Sequence, residues 1–301
     1  MTAAPVPLAG VGIWSAGLRR HEDAGELAEA AAELEQLGYT SLFIPGQRGG
    51  EDIFRAAERL LAATGSITVA LGVLNIWMHD PDESAAEIHR LDAAYPGRFL
   101  AGLGVSHPSL VDGAQPRVYG KPLDAMGEFL DALEAHDPPV PRERLLLAAL
   151  APKMLELSRT RSAGTHPYFV PVEHTAFARE ALGEGPTIAV EQAVTLTSDP
   201  EAARREARSH MAIYLTFPNY VRNLLRHGFT EEDLLDGGSD RLVDGIVAWG
   251  EEAIAARIEA HVAAGADHVC LQVIGGSPRT LPRDDWRRLA GILTLASDSP
   301  S

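Results

Sequence analysis

The sequence predicts a single-domain α/β protein, a (β/α)8 barrel over residues 1–301 with a helical insertion at about 198–250, between the seventh and eighth strands. Three observations predict it. Short apolar runs alternate with amphipathic stretches along almost the whole chain, and continuously apolar runs mark parallel strands buried on both faces. The segments LEQLGYTSLFIPG (34–46) and HVAAGADHVCLQVIGG (261–276) share one form: helix end, glycine, short gap, strand, glycine. Eight βα units need roughly 250 residues, which the 301-residue chain supplies. The alternative is an open doubly wound sheet. A dinucleotide fingerprint should then follow the first strand, and GVGIWS lacks its last glycine spacing.

Each element has a local signal. GVGIW (10–14), TSLFI (40–44), SITVALGVL (66–74) and FLAGLGV (99–105) read as strands one to four. The helices between them span 23–37, closed by Gly38, then 52–63, and 82–95, stopped by Pro96-Gly97; a fourth spans 122–135. RLLLAAL (144–150) is strand five, with a helix over 153–159. HPYFV (166–170) is the sixth extended segment, followed by a helix over 175–182. TIAVEQAVTL (187–196) and HVCLQVI (268–274) are strands seven and eight, and the last helix covers 284–295. About 70 residues, 198–267, separate these two strands, more than one crossover helix needs. They hold a helix from Pro200, the aromatics Tyr214, Phe217 and Tyr220, an acidic run and the turn Gly237-Gly238. Such an insert packs, makes a dimer contact or forms a lid over the site.

Composition bounds the function. Hydrophobic content is 46% and charged content 23%, as in an ordinary globular protein. One cysteine, Cys270, allows no internal disulfide and suits a reducing cytoplasm, with the thiol read as a small buried group. The first ten residues carry no signal-peptide pattern, and no apolar run approaches the roughly 18 residues of a membrane span. The net charge of −16 argues against a nucleic-acid partner. The expected partners are a small-molecule substrate and a second copy of the chain.

In a barrel the chemistry sits at the C-terminal ends of the strands. Those ends carry Trp14, then IPGQRGG (44–50), NIWMHDP (75–81), SHP (106–108), APK (151–153), GTHPY (164–168) and GGSPR (275–279). They hold aromatics, small residues and imidazoles but few carboxylates. There is no acid pair for glycoside hydrolysis, no Gly-x-Ser-x-Gly elbow and no His-Glu-x-x-His helix, and no metal site is expected. A site rich in apolar surface and poor in acids suits a flat cofactor that carries the chemistry itself.

Four stretches resemble the bacterial luciferase-like family of flavin and deazaflavin barrels, and within it the branch that uses the deazaflavin coenzyme F420: VLNIWMHDP (73–81), FLAGLGVSHP (99–108), LAALAPKMLELS (147–158) and, most specific, GTHPYFVPVEHTAFARE (164–180). The resemblance implies that Leu74, Asn75 and Ile76 lie behind the tricyclic ring, at a bulge where the family often has a non-proline cis peptide. It implies that Gly104, Val105, Ser106 and His107 face the ring's other side and ribityl chain. Ala149, Leu150, Ala151, Pro152 and Lys153 would hold chain and phosphate at a helix N-terminus, where free N–H groups receive an anion. His166, Pro167 and Tyr168 would complete the cofactor pocket. The chain departs from the family at Pro45-Gly46-Gln47, where many relatives have a polar pair. It departs at His107, where some sugar-phosphate dehydrogenases have a glutamate, and at Leu150, where glycines are usual. The first two argue against a sugar-phosphate substrate.

The implied activity is hydride transfer between F420 and a small organic substrate, at a C=C, C=N or alcohol/carbonyl carbon. An FMN-dependent monooxygenase and a non-catalytic barrel serving as a binding or structural subunit are the alternatives. Candidates for the proton are His107, Gln47 through a water, and His79; the substrate walls are Trp14, Trp77, Tyr214 and Phe217. Simpler roles compete: Asp80 reads as a helix cap, His174 as structural, Ser106 as a turn former, and Trp77 as a loop anchor. Gly275-Gly276 offers a phosphate site by the general barrel rule, but the resemblance points to Lys153.

Overall fold

Parallel ladders run round the whole sheet and meet themselves in the computed structural model, which describes residues 6, 8–46, 52–107 and 119–297. The barrel strands are β1 (Gly10–Trp14), β2 (Ser41–Ile44), β3 (Thr68–Leu71) with its two-residue continuation β4 (Leu74–Asn75), β5 (Phe99–Gly104), β6 (Leu145–Leu147), β7 (Gly164–Thr165), β8 (Thr187–Thr195) and β10 (His268–Val273). The last strand pairs with both ends of the order: Gly10 opposes His268, and His268 opposes Ala189. This is a closed eight-stranded parallel barrel with helices between its strands.

Two sets of apolar residues fill it. Outward-facing strand residues such as Leu42, Val69, Leu103 and Val269 join the helices in the main core. Inside the barrel lie Phe43, Ala70, Leu100, Leu146, Ala189 and Cys270, with Val6 and Leu8 below and Trp14 above. The inner layer admits a polar pair, Ser41 Oγ with His268 Nε2 at 2.7 Å. Gly12 makes room for it, since a Cβ there would sit 2.0 Å from Ser41 Oγ.

The surrounding helices are α1 (Gly17–Arg20), α2 (Ala24–Gln36), α3 (Ile53–Ala63), α4 (Pro81–Ala94), α5 (Pro122–Ala135), α6 (Pro152–Arg161), α7 (Val172–Leu182), α8 (Pro200–Met211), α9 (Pro218–Arg226), α10 (Asp240–Ile246), α11 (Glu251–Ala263) and α12 (Arg283–Ser297). Asp23, Asp52, Asp80 and Asp199 cap four of them by accepting backbone N–H bonds. Proline opens α4, α5, α6, α8 and α9, where its missing N–H costs nothing. No helix among the described residues is long and apolar enough to cross a membrane.

Three elements differ from the sequence reading. The third strand, expected to run unbroken over 66–74, is interrupted at Gly72-Val73, a non-proline cis peptide, before Leu74 and Asn75 rejoin the sheet against Leu103 and Gly104. The sixth strand is Gly164–Thr165 rather than 166–170. Pro167 has no N–H to pair, and Phe169 at φ 56° turns the chain out of the ladder. The region 198–267 is not purely helical: β9 (Val247–Trp249) pairs with Ala193–Thr195, beyond the stretch of β8 where β7 pairs with Thr187 and Ile188.

Candidate active site

The C-terminal rim of the barrel carries two cavities. The first, about 430 Å³, opens over the ends of β1 to β7. Its floor and walls are Trp14, Pro45-Gly46, Gly72-Val73, Asn75, Gly104, Ser106, His107, Ala148, His166 and Tyr168, and the insert covers it with Ile213, Tyr214, Phe217 and Tyr220. The second, about 1120 Å³, opens over β8, β10 and β1, between α8 and the start of α12. Trp14 and Tyr214 line both.

The first cavity exists because its backbone is bare. At Gly104 a Cβ would lie 2.3 Å from Val73 Cγ2, and at Gly72 it would lie 2.8 Å from the Trp14 indole nitrogen and 3.1 Å from His166 Nε2. Trp14 is fixed by an indole N–H bond to the Gly72 carbonyl at 3.1 Å and by the Tyr168 ring at 5.3 Å. The turn after β2 is tied down from below, as Arg19 Nη1 donates to the Pro45 carbonyl at 2.8 Å. Asn75 is buried, and its Oδ1 accepts the Trp77 backbone N–H at 3.0 Å.

Two histidines face this cavity as neutral groups. His166 is 1% exposed, and burial pushes its pKa down to about 4. Its Nδ1–H donates to the Ala189 carbonyl at 2.7 Å, so Nε2 is a bare acceptor; it has no partner among the described residues. Burial also pushes His107 to about 4, against a hydrogen bond to Asn219 that favours the charged form. Its ring lies on Phe217 with centroids 3.7 Å apart and planes 3° from parallel. The insert is thus docked onto the loop after β5 by aromatic stacking. Beyond it, Tyr168 donates to Gln272 Oε1 at 2.9 Å and so accepts from the Tyr214 hydroxyl at 2.7 Å. Burial raises both phenols, Tyr214 to about 12, so they stay protonated at neutral pH.

No carboxylate lines the first cavity among the described residues. The nearest inward acid of β8 is Glu191, 2% exposed behind Phe169 and accepting its N–H at 3.1 Å; burial raises its carboxyl to about 8. No group of three or more His, Cys, Asp or Glu among the described residues is placed to hold a metal.

The residues singled out from sequence fall into several places, and Val105, outside the lining, packs against the main core. Asn75, Gly104, Ser106, His107, His166, Tyr168, Trp14, Tyr214 and Phe217 meet at the first cavity. Leu74 and Ile76 are in the outer core behind it, with Ala149. Pro167 is buried beside β8, its carbonyl accepting the Glu191 N–H at 3.0 Å. Leu150, Ala151, Pro152 and Lys153 stand at the N-terminus of α6, outside the lining; the last three are exposed, and Arg226 of the insert reaches the Leu150 carbonyl at 3.3 Å. Trp77 lies outside the lining too. Its indole N–H donates to the Val105 carbonyl at 2.7 Å and its ring packs on Tyr119, which ties the β4 turn to the β5 loop. His79 Nδ1 donates to the Asn75 carbonyl at 2.9 Å and meets Phe54, also away from the lining. Gln47 lies outside the described residues. The residues missed were Arg20, Gly72, Val73, Met78, Ala148, Ile213 and Tyr220. Only Tyr220, one of three closely spaced aromatics, carried a sequence signal.

Comparison with known proteins finds relatives of this fold. Over 104 residues, 35% of this chain, the sequence is 28% identical to a protein of Mycobacterium tuberculosis named as a proposed coenzyme F420-dependent oxidoreductase. That match spans 30% of the relative's length. The fold resembles an F420-dependent secondary alcohol dehydrogenase solved with an F420–acetone adduct, at TM-score 0.70 and 15% identity over 95% of this chain and 99% of that one. It also resembles the oxygenating constituent of the 3,6-diketocamphane monooxygenase of Pseudomonas putida solved with FMN, at TM-score 0.67 and 14% identity over 97% and 100%. The profile of the luciferase-like monooxygenases matches residues 9–268, nearly the whole barrel, and the chain belongs to that family.

Proposed function

We propose that the protein is an F420-dependent oxidoreductase that transfers a hydride between the deazaflavin and a small organic substrate. The observation that carries this reading is the first cavity. It is largely apolar and without carboxylates among its described residues, and its volume is within the range of about 300–1,000 Å³ usual for cofactor sites. The residues present fit such a ring. Asn75, Gly104 and Ser106 would hold one side of it, Trp14 and Tyr168 would bound it, and the bare Nε2 of His166 offers an acceptor to a ring N–H. F420, when bound, supplies two-electron hydride chemistry without reacting readily with oxygen.

The chain's own work is placement, exclusion of water and handling of one proton. The stacked His107 and Phe217 form one wall of the cavity. His107 is neutral at pH 7, so it acts as a hydrogen-bond partner rather than as a charged acid. The Tyr214 hydroxyl donates to Tyr168, and this pair is the group best placed to pass a proton at the cavity wall.

The test is a titration of intrinsic fluorescence, to which Trp14 contributes, with F420 and with FMN. The expected result is one F420 bound per chain with affinity in roughly the micromolar range, and FMN at least about tenfold weaker. Tight FMN binding without F420 binding, with oxygen uptake when reduced FMN and substrate are supplied, would establish a flavin monooxygenase instead. The FMN-bound fold relative supports that as the second reading.

A further inference from the structure

The second cavity has a different chemistry. Glu206 and Asp285 face it, and both are half-buried. Neither forms an ion pair among the described residues; burial raises the Asp285 carboxyl above its usual range, the nearby Arg288 opposes that rise, and Asp284 and Glu206 add to it. Thr195 Oγ1 donates to Glu206 at 2.6 Å and fixes it, and Gly275 leaves room beside the carboxylate, since a Cβ there would be 3.0 Å from Glu206 Oε2.

The cations of this cavity are already engaged. Arg283 and Arg287 both bind Glu33, Arg287 also binds Asp284 at 2.6 Å, and Arg288 binds Glu251 at 2.9 Å. The net demand of the cavity is therefore for positive charge. Two more features ask for the same. Trp14 and Tyr214 present aromatic surface to the cavity, and such surface attracts cations. His210 lines it too; burial keeps its imidazole neutral, pushed to about 4, and its Nε2, without a partner among the described residues, accepts a ligand N–H in the tautomer protonated at Nδ1.

We infer that this second cavity binds an organic cation, a protonated amine or an iminium of substrate size, with Glu206 and Asp285 as its counter-charges. This names a substrate class for the proposed activity and rests on that reading, because the two cavities adjoin at Trp14 and Tyr214. The polar atoms of the wall discriminate: a carboxylate ligand would face two unpaired acids, and a neutral one would leave them uncompensated.

The probes are 2-phenylethylammonium, the neutral 2-phenylethanol and the anion 3-phenylpropanoate, titrated calorimetrically into the full-length protein with and without F420. The ammonium should bind at least about tenfold more tightly than the alcohol, and the anion should not bind. Glu206→Gln combined with Asp285→Asn should bring the ammonium to the level of the alcohol while leaving the circular dichroism melt and F420 binding in place. Glu201→Gln, on the exposed side of α8, should change nothing. Equal binding of ammonium and alcohol, tighter binding of the anion, or an unchanged preference in the double variant would overturn the inference. F420 binding without an ammonium preference sinks this inference alone; an ammonium preference without F420 binding sinks the cofactor reading alone.

Discussion

The two cavities share a wall but not a chemistry. Over β1 to β7 the described lining has no carboxylate, two neutral imidazoles and five large aromatic side chains: Trp14, Tyr168, Tyr214, Phe217 and Tyr220. Over β8, β10 and β1 the lining carries acids, arginines and the loop Gly275-Gly276-Ser277. The difference follows from which elements supply the rim. The first cavity is floored by close-packed backbone at Gly72 and Gly104, where no side chain fits, so it takes something flat. The second is framed by the sides of α8 and the first turn of α12, whose surfaces are charged, so it selects by charge.

The largest expected effect comes from removing the shared wall. Trp14→Ala takes away a 5%-exposed indole and its bond to Gly72, and should cost about 3–5 kcal/mol in chemical denaturation. Both F420 and the ammonium probe should then bind weakly; loss of only one would show that the cavities are independent. Gly104→Val is more selective. Its Cβ would collide with Val73 in the first cavity alone, so F420 binding should fall about 100-fold while the ammonium probe keeps its affinity, with overpacking costing about 1–3 kcal/mol.

Glu191 tests the polarity behind the first cavity. In the folded chain its carboxyl is held at about 8, above the usual carboxylate value near 4.5 that it has when unfolded. Below pH 4.5 both states hold the proton and no penalty exists; between 4.5 and 8 the unfolded chain releases it and the folded chain does not, so stability is lost as pH rises. Glu191→Gln should therefore raise the melting temperature at pH 8, by about 1–3 kcal/mol of stability, and leave it unchanged at pH 4. A stabilisation independent of pH would contradict the assignment. The smallest effect is at Asp80→Ala, which removes the cap of α4 and should cost about 1 kcal/mol without changing the affinity of either ligand.

The barrel was legible because its signals are local. Runs such as TIAVEQAVTL are buried on both faces and could be read without knowing their neighbours; in the structure Ile188–Thr195 is buried throughout. The break in the third strand left no such mark, since SITVALGVL is apolar across Gly72-Val73. The three residues of β9 are too short to stand out from the helices around them. At the site, two tryptophans at strand ends looked alike. Trp14 lines both cavities and Trp77 pins a turn, and what separates them is the carbonyl each indole finds, that of Gly72 or that of Val105. That choice is made by contacts distant in the chain. Glu206 and Asp285 were not singled out for a similar reason: each sits on an ordinary charged helix, and only the pairing of β8 with β10 brings those helices to one cavity.

The division of labour between the cavities is tested most directly by a crystal structure of the protein grown with F420. The account predicts the tricyclic ring in the first cavity, bounded by Asn75, Gly104, Ser106, Trp14 and Tyr168, with Glu206 and Asp285 untouched by the cofactor. A ring seated instead against Glu206, Asp285 and Gly275 would contradict it.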